Sequence, residues 1–367
     1  MDRCRPPRRG CMSKIRKVTL RRLRLPLSSP YRLSYRTFTE FEPYVVELED
    51  DSGRGAFADG HVSPGSSSET REGAWAFCLE QLAALPGRDT AQARQALLAR
   101  FEDSKVAVTA MVCAIEALED SPYLTVTQDT VLPLLVPVGA MEPAAIAEEV
   151  DRRVAAGFKV FKVKVGKDVD ADLARVRAIQ DAARGRATLR LDANRAYGRD
   201  DALAFVGRLD PAGIDLFEQP CDADDWEANA AVAAASPVPL MLDEPICALA
   251  DIDRAATLKN VGYCKLKLKR FGSLERLAEG LKRVRDKGMR PVLGDGLGSE
   301  IHNWMEACVA RTTIDNAGEF NGFLKHPDKL FRQPLGYEHG AVVMPAGYRP
   351  ELDRAAIERL TVERRDF

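Results

Sequence analysis

Short apolar runs and longer amphipathic stretches take turns along most of the chain. From about Val18 to Phe57, "KVTLRRLRLPL" and "PYVVELEDDSGRGAFADG" alternate apolar and polar positions with a period of two, as half-buried strands do. Within the second, "EDDSGRG" has the chemistry of a hairpin turn. The period then becomes helical through "SSETREGAWAFCLEQLAAL" and "SKVAVTAMVCAIEALED", with an N-cap expected among Ser66 to Ser68. Up to about residue 130 the pattern predicts an α+β unit.

Beyond that point the rhythm is strict. Strand candidates appear at "VLPLLVPVG", "VFKVKVG", "TLRLDAN", "IDLFEQP", "VPLMLDEP", "GYCKLKLKRFG", "RPVLGDG" and "NAGEFNG", with helical patterns such as "DADLARVRAIQDAARG" and "SLERLAEGLKRVRDKG" between them. About eight β-α units over about two hundred residues match the size of a (β/α)8 barrel. A doubly wound open sheet is the alternative that the same alternation allows.

Composition narrows the classes of function. The 367 residues are 46% hydrophobic and 29% charged with a net charge of −2, so nucleic acid is a poor partner. No apolar run approaches the roughly 20 residues that cross a bilayer, which argues against a membrane protein. The start, "MDRCRPPRRGCMSKIRKV", lacks the apolar core of a secretory signal. Residues 1–11 read as a disordered extension, or as an upstream start ahead of Met12. Eight scattered cysteines without a C-x-x-C pair suit a reducing cytoplasm, and four histidines without ligand spacing argue against zinc.

Catalytic groups of a parallel barrel stand at the C-terminal ends of its strands. There the second strand carries Lys162 and Lys164, the third Asp192, the fourth Glu218 and the fifth Asp243. The sixth carries Lys265, Lys267 and Lys269 at alternate positions, a row that would be a wet edge strand in isolation. Three carboxylates on successive strand tips, with no histidine or thiolate beside them, favour Mg²⁺. Lys164 and Lys267 then stand on opposite walls of the barrel. Crowded ammonium groups and desolvation lower a lysine pKa, as a base requires, so the row is read as pointing inward with Lys267 as the base.

Five motifs, "FKVKVG", "RLDAN", "FEQP", "LDEP" and "KLKRFG", in this order and register, resemble the enolase superfamily and specifically its muconate lactonizing enzyme subgroup (the mandelate racemase/muconate lactonizing enzyme family). The resemblance implies a modified, TIM-like (β/α)8 barrel at 131–325, an N-terminal α+β capping domain at 12–130 and a C-terminal segment at 326–367 that returns to it. It also implies Mg²⁺, or Mn²⁺ in its place, on Asp192, Glu218 and Asp243, binding a small-molecule carboxylate substrate. Abstraction of the α-proton would give an enediolate, with Lys162 stabilising the developing charge and Lys164 and Lys267 as acid and base. Homo-oligomerisation is a further expectation from the family.

Asn194 shares the inward face of Asp192 and is expected to contact a metal-bound group, whereas Glu244, next to Asp243, is expected to point away. The seventh strand tip, "GDGLGSE", places Asp295 and Gly298 where the subgroup usually reads G-x-M-L-E. In the eighth, Glu319 and Asn321 stand where dipeptide epimerases show an aspartate pair. Lys265 replaces a common asparagine, which makes the site more positive. Tyr31, Arg32, Tyr35 and Arg36 in "SPYRLSYRTF", with the flap "ADGHVSPGSSSET", are candidate lid residues over the distal end of the substrate. Trp226 and Trp304 read as packing residues. The activity expected is racemisation or epimerisation of an amino-acid derivative. Cycloisomerisation and o-succinylbenzoate synthase-like dehydration are the alternatives, and a non-catalytic binding barrel is the contrasting class.

Overall fold

The computed structural model describes residues 13–32, 37–64 and 68–367. The proposed extension at 1–11 lies outside them. Five strands come first: β1 (Ile15–Leu23), β2 (Leu25–Arg32), β3 (Thr37–Phe41), β4 (Tyr44–Asp50) and β5 (Gly55–Gly60). The hairpin predicted at "EDDSGRG" joins β4 to β5. Buried Asp50 shapes it, accepting the N–H groups of Ser52 at 2.9 Å and Arg54 at 3.0 Å, while Gly53 takes a φ of +83°.

Helices α1 (Arg71–Ala83), α2 (Thr90–Leu98) and α3 (Lys105–Leu118) follow. The N-cap of α1 is Thr70, not a residue of Ser66 to Ser68. The Thr70 hydroxyl accepts the Gly73 N–H at 3.0 Å, the reach that a cap to the third helical residue needs. Helix α3 is apolar on nearly every side and packs between the β4–β5 hairpin and the barrel.

The first barrel run, "VLPLLVPVG", splits into β6 (Thr130–Pro133) and β7 (Val136–Pro137), because neither proline can donate to a ladder. The chain continues through α4 (Pro143–Ala155), β8 (Val160–Lys164), α5 (Val169–Ala183), β9 (Thr188–Asp192), α6 (Arg199–Arg208), β10 (Ile214–Glu218) and α7 (Trp226–Ala235). Next come β11 (Leu240–Leu242), α8 (Leu249–Ala255), β12 (Val261–Leu266), α9 (Leu268–Phe271), α10 (Leu274–Asp286), β13 (Arg290–Leu293) and α11 (Glu300–Thr313).

Strands β7 to β13 form one parallel sheet in sequence order. The predicted eighth strand is an extended segment, not a full ladder. Leu135 N–H donates to Gly318 O at 3.0 Å, and Glu319 N–H donates to Leu293 O at 2.9 Å, so residues 317–320 fill the gap between β13 and β7. The lysine-rich run also departs from a continuous strand. It leaves the sheet after Leu266 and turns through α9, which ends at Gly272 with a φ of +81°.

The C-terminal residues form β14 (Gly336–Glu338), β15 (Ala341–Met344), α12 (Arg354–Leu360) and β16 (Thr361–Asp366). β15 pairs with β6, and β16 lies antiparallel beside β1 at the edge of the amino-terminal sheet. No helix among the described residues is long and apolar enough to cross a membrane.

Period two inside the barrel determines what stands at its mouth. Leu216, Met241, Tyr263 and Val292 form a small apolar layer of their own. Two residues further along each strand the inward positions are Glu218, Asp243, Lys265 and Gly294. Gly294 has a φ of +133°, and a Cβ there would lie 2.4 Å from Phe320 N and 2.7 Å from the Glu319 carbonyl carbon. Gly294→Ala is therefore expected to disturb the segment that closes the barrel and to destabilise the fold by about 1–3 kcal/mol. Thermal unfolding measures this, and an unchanged midpoint would contradict a tight closure.

Candidate active site

Five neighbouring strands present a symmetric row of charges at their C-terminal ends: Lys164, Asp192, Glu218, Asp243 and Lys267. The ladder keeps Lys164, Asp192 and Glu218 level, since Lys164 pairs with Asp192 and Asp192 with Glu218. Lys164 contacts the Asp192 carboxylate and the Asn194 side-chain oxygen. At the other end the Lys267 Nζ lies 2.9 Å from Asp243 Oδ2, and Arg270 reaches Asp243 Oδ1 at 2.8 Å.

A second pair of lysines sits one layer deeper. Lys162 Nζ is 2.8 Å from Asp192 Oδ2, 2.9 Å from Glu218 Oε2 and 2.9 Å from Glu319 Oε1. Lys265 Nζ is 3.0 Å from Glu218 Oε1 and also bonds Glu319. Four buried carboxylates are thus matched by four ammonium groups. Each carboxylate meets at least two cations, so no single pair carries the balance alone.

The four lysines do not share one electrostatic fate. Burial opposes the charge on Lys162, but Asp192, Glu218 and Glu319 outweigh it and hold its pKa well above the usual lysine value. Lys265 is raised in the same way by Glu218 and Glu319. Lys267 is lowered, first by burial and then by the Arg270 guanidinium, with Asp243 only partly compensating. The depression expected for the whole row therefore holds for Lys267 and reverses for Lys265, because Lys265 is enclosed by carboxylates.

The donor chemistry suits a hard divalent cation: three buried carboxylates on adjacent strands and no softer ligand. Burial and the neighbouring Asp192 charge push the Glu218 carboxyl up to about 7, a repulsion that a cation between them would relieve. The three carboxylates face the lysine ammonium groups and, among the described residues, are not gathered around one point. Asp192, Glu218 and Asp243 fit Mg²⁺ by chemistry, and would bind it by turning from those ammonium groups.

The mouth above this row encloses about 110 Å³, because lysine side chains fill it. Lys162, Lys164, Lys265, Lys267, Asn194, Asp243, Asp295 and Glu319 line it, with Tyr31 arriving from β2. Lys269 lines it too and pairs with Asp295, so all three lysines of the row face the mouth. The third does so by the turn of α9, not by strand alternation.

Asn321 is not brought to the mouth. Its amide donates to Leu135 O at 3.0 Å, and its oxygen accepts Lys325 at 3.0 Å in the seam that closes the barrel. Glu244, expected to point away, instead lines the mouth with Arg195, 3.6 Å from it, since β11 ends at Leu242 and alternation ends with it. Tyr35, Arg36 and the Arg32 side chain lie outside the described residues. Trp304 packs against Phe57 and Phe331, while Trp226 stacks under Arg254. Arg270 was missed by the sequence reading; Gly272, as a helix C-cap signal, could have revealed the turn that aims it inward. A larger cleft of about 1020 Å³ runs along β1, β4 and the 349–355 loop, but it holds none of these groups.

Behind the seventh strand tip is another buried charged group. His302 on α11 has Nδ1 3.9 Å from Asp59 Oδ1 and Nε2 3.6 Å from Glu306 Oε1. The Ser299 hydroxyl donates to Asp59 Oδ2 at 2.5 Å. Asp59 belongs to β5, so this group joins the amino-terminal unit to the barrel.

The family described as "Enolase C-terminal domain-like" matches residues 145–350. The hydrophobic dipeptide epimerase of Citrifermentans bemidjiense is 30% identical over 298 residues, covering 74% of this chain and 78% of that protein. Muconate cycloisomerase 1 of Rhodococcus opacus is 32% identical over 197 residues, 51% of each chain. The structure of a dipeptide epimerase from Cytophaga hutchinsonii, complexed with Mg and the dipeptide D-Ala-L-Val, superposes with a TM-score of 0.86. It is 21% identical, with 96% of this chain and 99% of that one covered.

The Asp59–His302–Glu306 group carries a pH dependence. Burial works against the imidazolium, but Glu306 and Asp59 overcome it and raise His302 to about 9. A raised histidine pKa stabilises the fold fully below the unfolded value of about 6.5, and this stabilisation is lost as pH rises through 9. Asp59, raised to about 6 by burial, loses its share earlier, between about pH 4 and 6. Wild-type protein is expected to lose on the order of 3 kcal/mol between pH 6.5 and 10 relative to His302→Asn. Parallel denaturation curves for the two proteins across that range would refute the assignment.

Proposed function

The chain belongs to the enolase superfamily, in its mandelate racemase/muconate lactonizing enzyme subgroup, and as an isomerase of that family we propose that it racemises or epimerises an amino-acid derivative by moving the α-proton of a carboxylate substrate. The observation that carries this reading is the pair Lys164 and Lys267 at opposite ends of one row of carboxylates. A 1,1-proton transfer needs one group on each face of the α-carbon, one to remove the proton and one to deliver it. A single-base reaction needs only one of them.

Exposure separates the working lysines from the fixed ones. The side chains of Lys162 and Lys265 are 4% and 3% exposed and are held by carboxylates, so neither is free to carry a proton to or from the α-carbon. Lys164 and Lys267 are 37% and 14% exposed and open onto the mouth. Lys267, with its lowered pKa, takes the α-proton in one direction, and Lys164 delivers a proton to the other face. In the reverse direction the two exchange roles. Lys162 and Lys265 keep their charge and counter the negative charge that develops on the substrate carboxylate as the enediolate forms.

Asp192, Glu218 and Asp243 would hold Mg²⁺, which when bound supplies positive charge to the substrate carboxylate and makes its α-proton more acidic. Asn194 keeps Lys164 oriented through its side-chain oxygen. Asp295 does the same for Lys269 at the rim. Tyr31, over the mouth, would cover the distal part of the substrate. The dipeptide epimerases among the relatives support an N-acylated amino acid or a dipeptide as substrate class.

Incubation in D₂O with Mg²⁺ and a panel of dipeptides and N-acyl amino acids tests the reading. Deuterium should enter the α-position with loss of optical purity. Lys164→Ala and Lys267→Ala should each slow racemisation by about 10²–10⁴-fold, and a chelator should abolish it. Turnover of a muconate or of an o-succinylbenzoate precursor, without exchange in the panel, would replace racemisation by cycloisomerisation or elimination.

A further inference from the structure

Glu306 is fully buried in α11, away from the row of charges. A carboxylate in such a place is costly unless its oxygens are occupied. One oxygen accepts the Leu268 N–H at 3.3 Å and the other accepts the Asp295 N–H at 3.2 Å. Leu268 directly follows Lys267, and Asp295 lies in the loop after β13 that borders the mouth. Glu306 thus ties together the tips of the sixth and seventh barrel strands.

The two working lysines differ in what holds them. Lys164 is the last residue of β8 and is paired in the ladder with Asp192, so the sheet itself fixes its backbone. The ladder of β12 ends with Leu266 opposite Leu293, leaving Lys267 one residue beyond it. Beyond the ladder the Lys267 carbonyl accepts the Arg270 N–H at 2.9 Å within α9, so what remains is to anchor the N–H side of this turn to the seventh strand tip. Glu306 is the side chain that does so, and its own charge is balanced by His302, which faces Asp59 of β5 on its other side.

We infer that Glu306 is the positioning residue for Lys267, and that through His302 and Asp59 it makes the placement of this lysine depend on the docked amino-terminal unit. The inference rests on the two-lysine reading above. It predicts a one-sided defect, which a general loss of structure would not produce.

The test measures α-proton exchange in D₂O separately from each enantiomer of a substrate, with Lys267→Ala showing which enantiomer faces Lys267. Glu306→Gln retains the shape but turns an amide donor toward one of the two backbone N–H groups. Exchange from the Lys267-facing enantiomer should fall about ten- to a hundredfold in kcat with little change in KM. Exchange from the other enantiomer should stay within about twofold. Amide hydrogen exchange at Leu268 and Asp295 should accelerate, and Glu306→Asp should recover part of the rate. If Glu306→Gln does not fold, His302→Gln removes only the counter-charge and should give the same asymmetry. Equal losses for both enantiomers, or no loss with unchanged protection at Leu268, would overturn the inference. A wild-type protein that exchanges no substrate would sink the racemase reading instead, and amide protection at Leu268 and Asp295 would then decide the positioning role alone.

Discussion

The structure is organised around one electrostatic constraint: four buried carboxylates at the C-terminal end of a barrel and the four lysines that meet them, two buried and two open to the mouth. In so dry a place each charge must meet its opposite within hydrogen-bond distance. Lys162 and Lys265 satisfy this requirement from below by bridging Asp192, Glu218 and Glu319. Lys164 and Lys267 satisfy it from the two flanks. The inner pair neutralises the floor, which leaves the outer pair accessible. A site without the inner lysines would carry an excess of negative charge and would draw the outer lysines down onto the carboxylates.

The barrel supplies the geometry for this balance at little extra complexity. Because side chains alternate, an apolar layer of Leu216, Met241, Tyr263 and Val292 is followed two residues later by the charged layer. The apolar layer excludes water from below and strengthens every interaction above it. Parallel strands in sequence order then set the charges side by side at a level fixed by the ladder. Asp243 and Lys267 lie one residue past their ladders; the Gln219 side chain accepts the Asp243 N–H, and beside Lys267 the helix α11 supplies the brace through Glu306.

The amino-terminal unit is joined to this framework by more than apolar packing. Besides the Asp59–His302 contact, Glu116 of α3 accepts the N–H groups of Leu274 at 2.7 Å and Glu275 at 3.1 Å, capping α10 from across the interface. Lys325, following the closing segment, lies 4.6 Å from the ring centroid of Tyr31 in β2. These contacts converge on the sixth to eighth strand tips. The amino-terminal unit therefore also packs on α9, the turn that directly follows Lys267.

Much of the site could be read in the sequence because it follows from local periodicity. Alternation at "FKVKVG", "RLDAN" and "FEQP" put Lys162, Lys164, Asp192 and Glu218 on one face, and the regular β-α spacing put them at neighbouring strand ends. Where strands stop, the same rule fails. Glu244 faces the mouth because β11 has already ended, Lys269 reaches it as expected but by the turn of α9, and Asn321 turns into the seam because the eighth strand is only a bridge. The sequence by itself determined the barrel, the carboxylate row and the lysines on either side, since these depend on residues two apart or one β-α unit apart. Only the tertiary structure decided that carboxylates raise the Lys162 and Lys265 pKa while burial and Arg270 lower that of Lys267, and that Glu306 supports Lys267. Those outcomes depend on burial and on partners far apart in the chain, which no local pattern encodes.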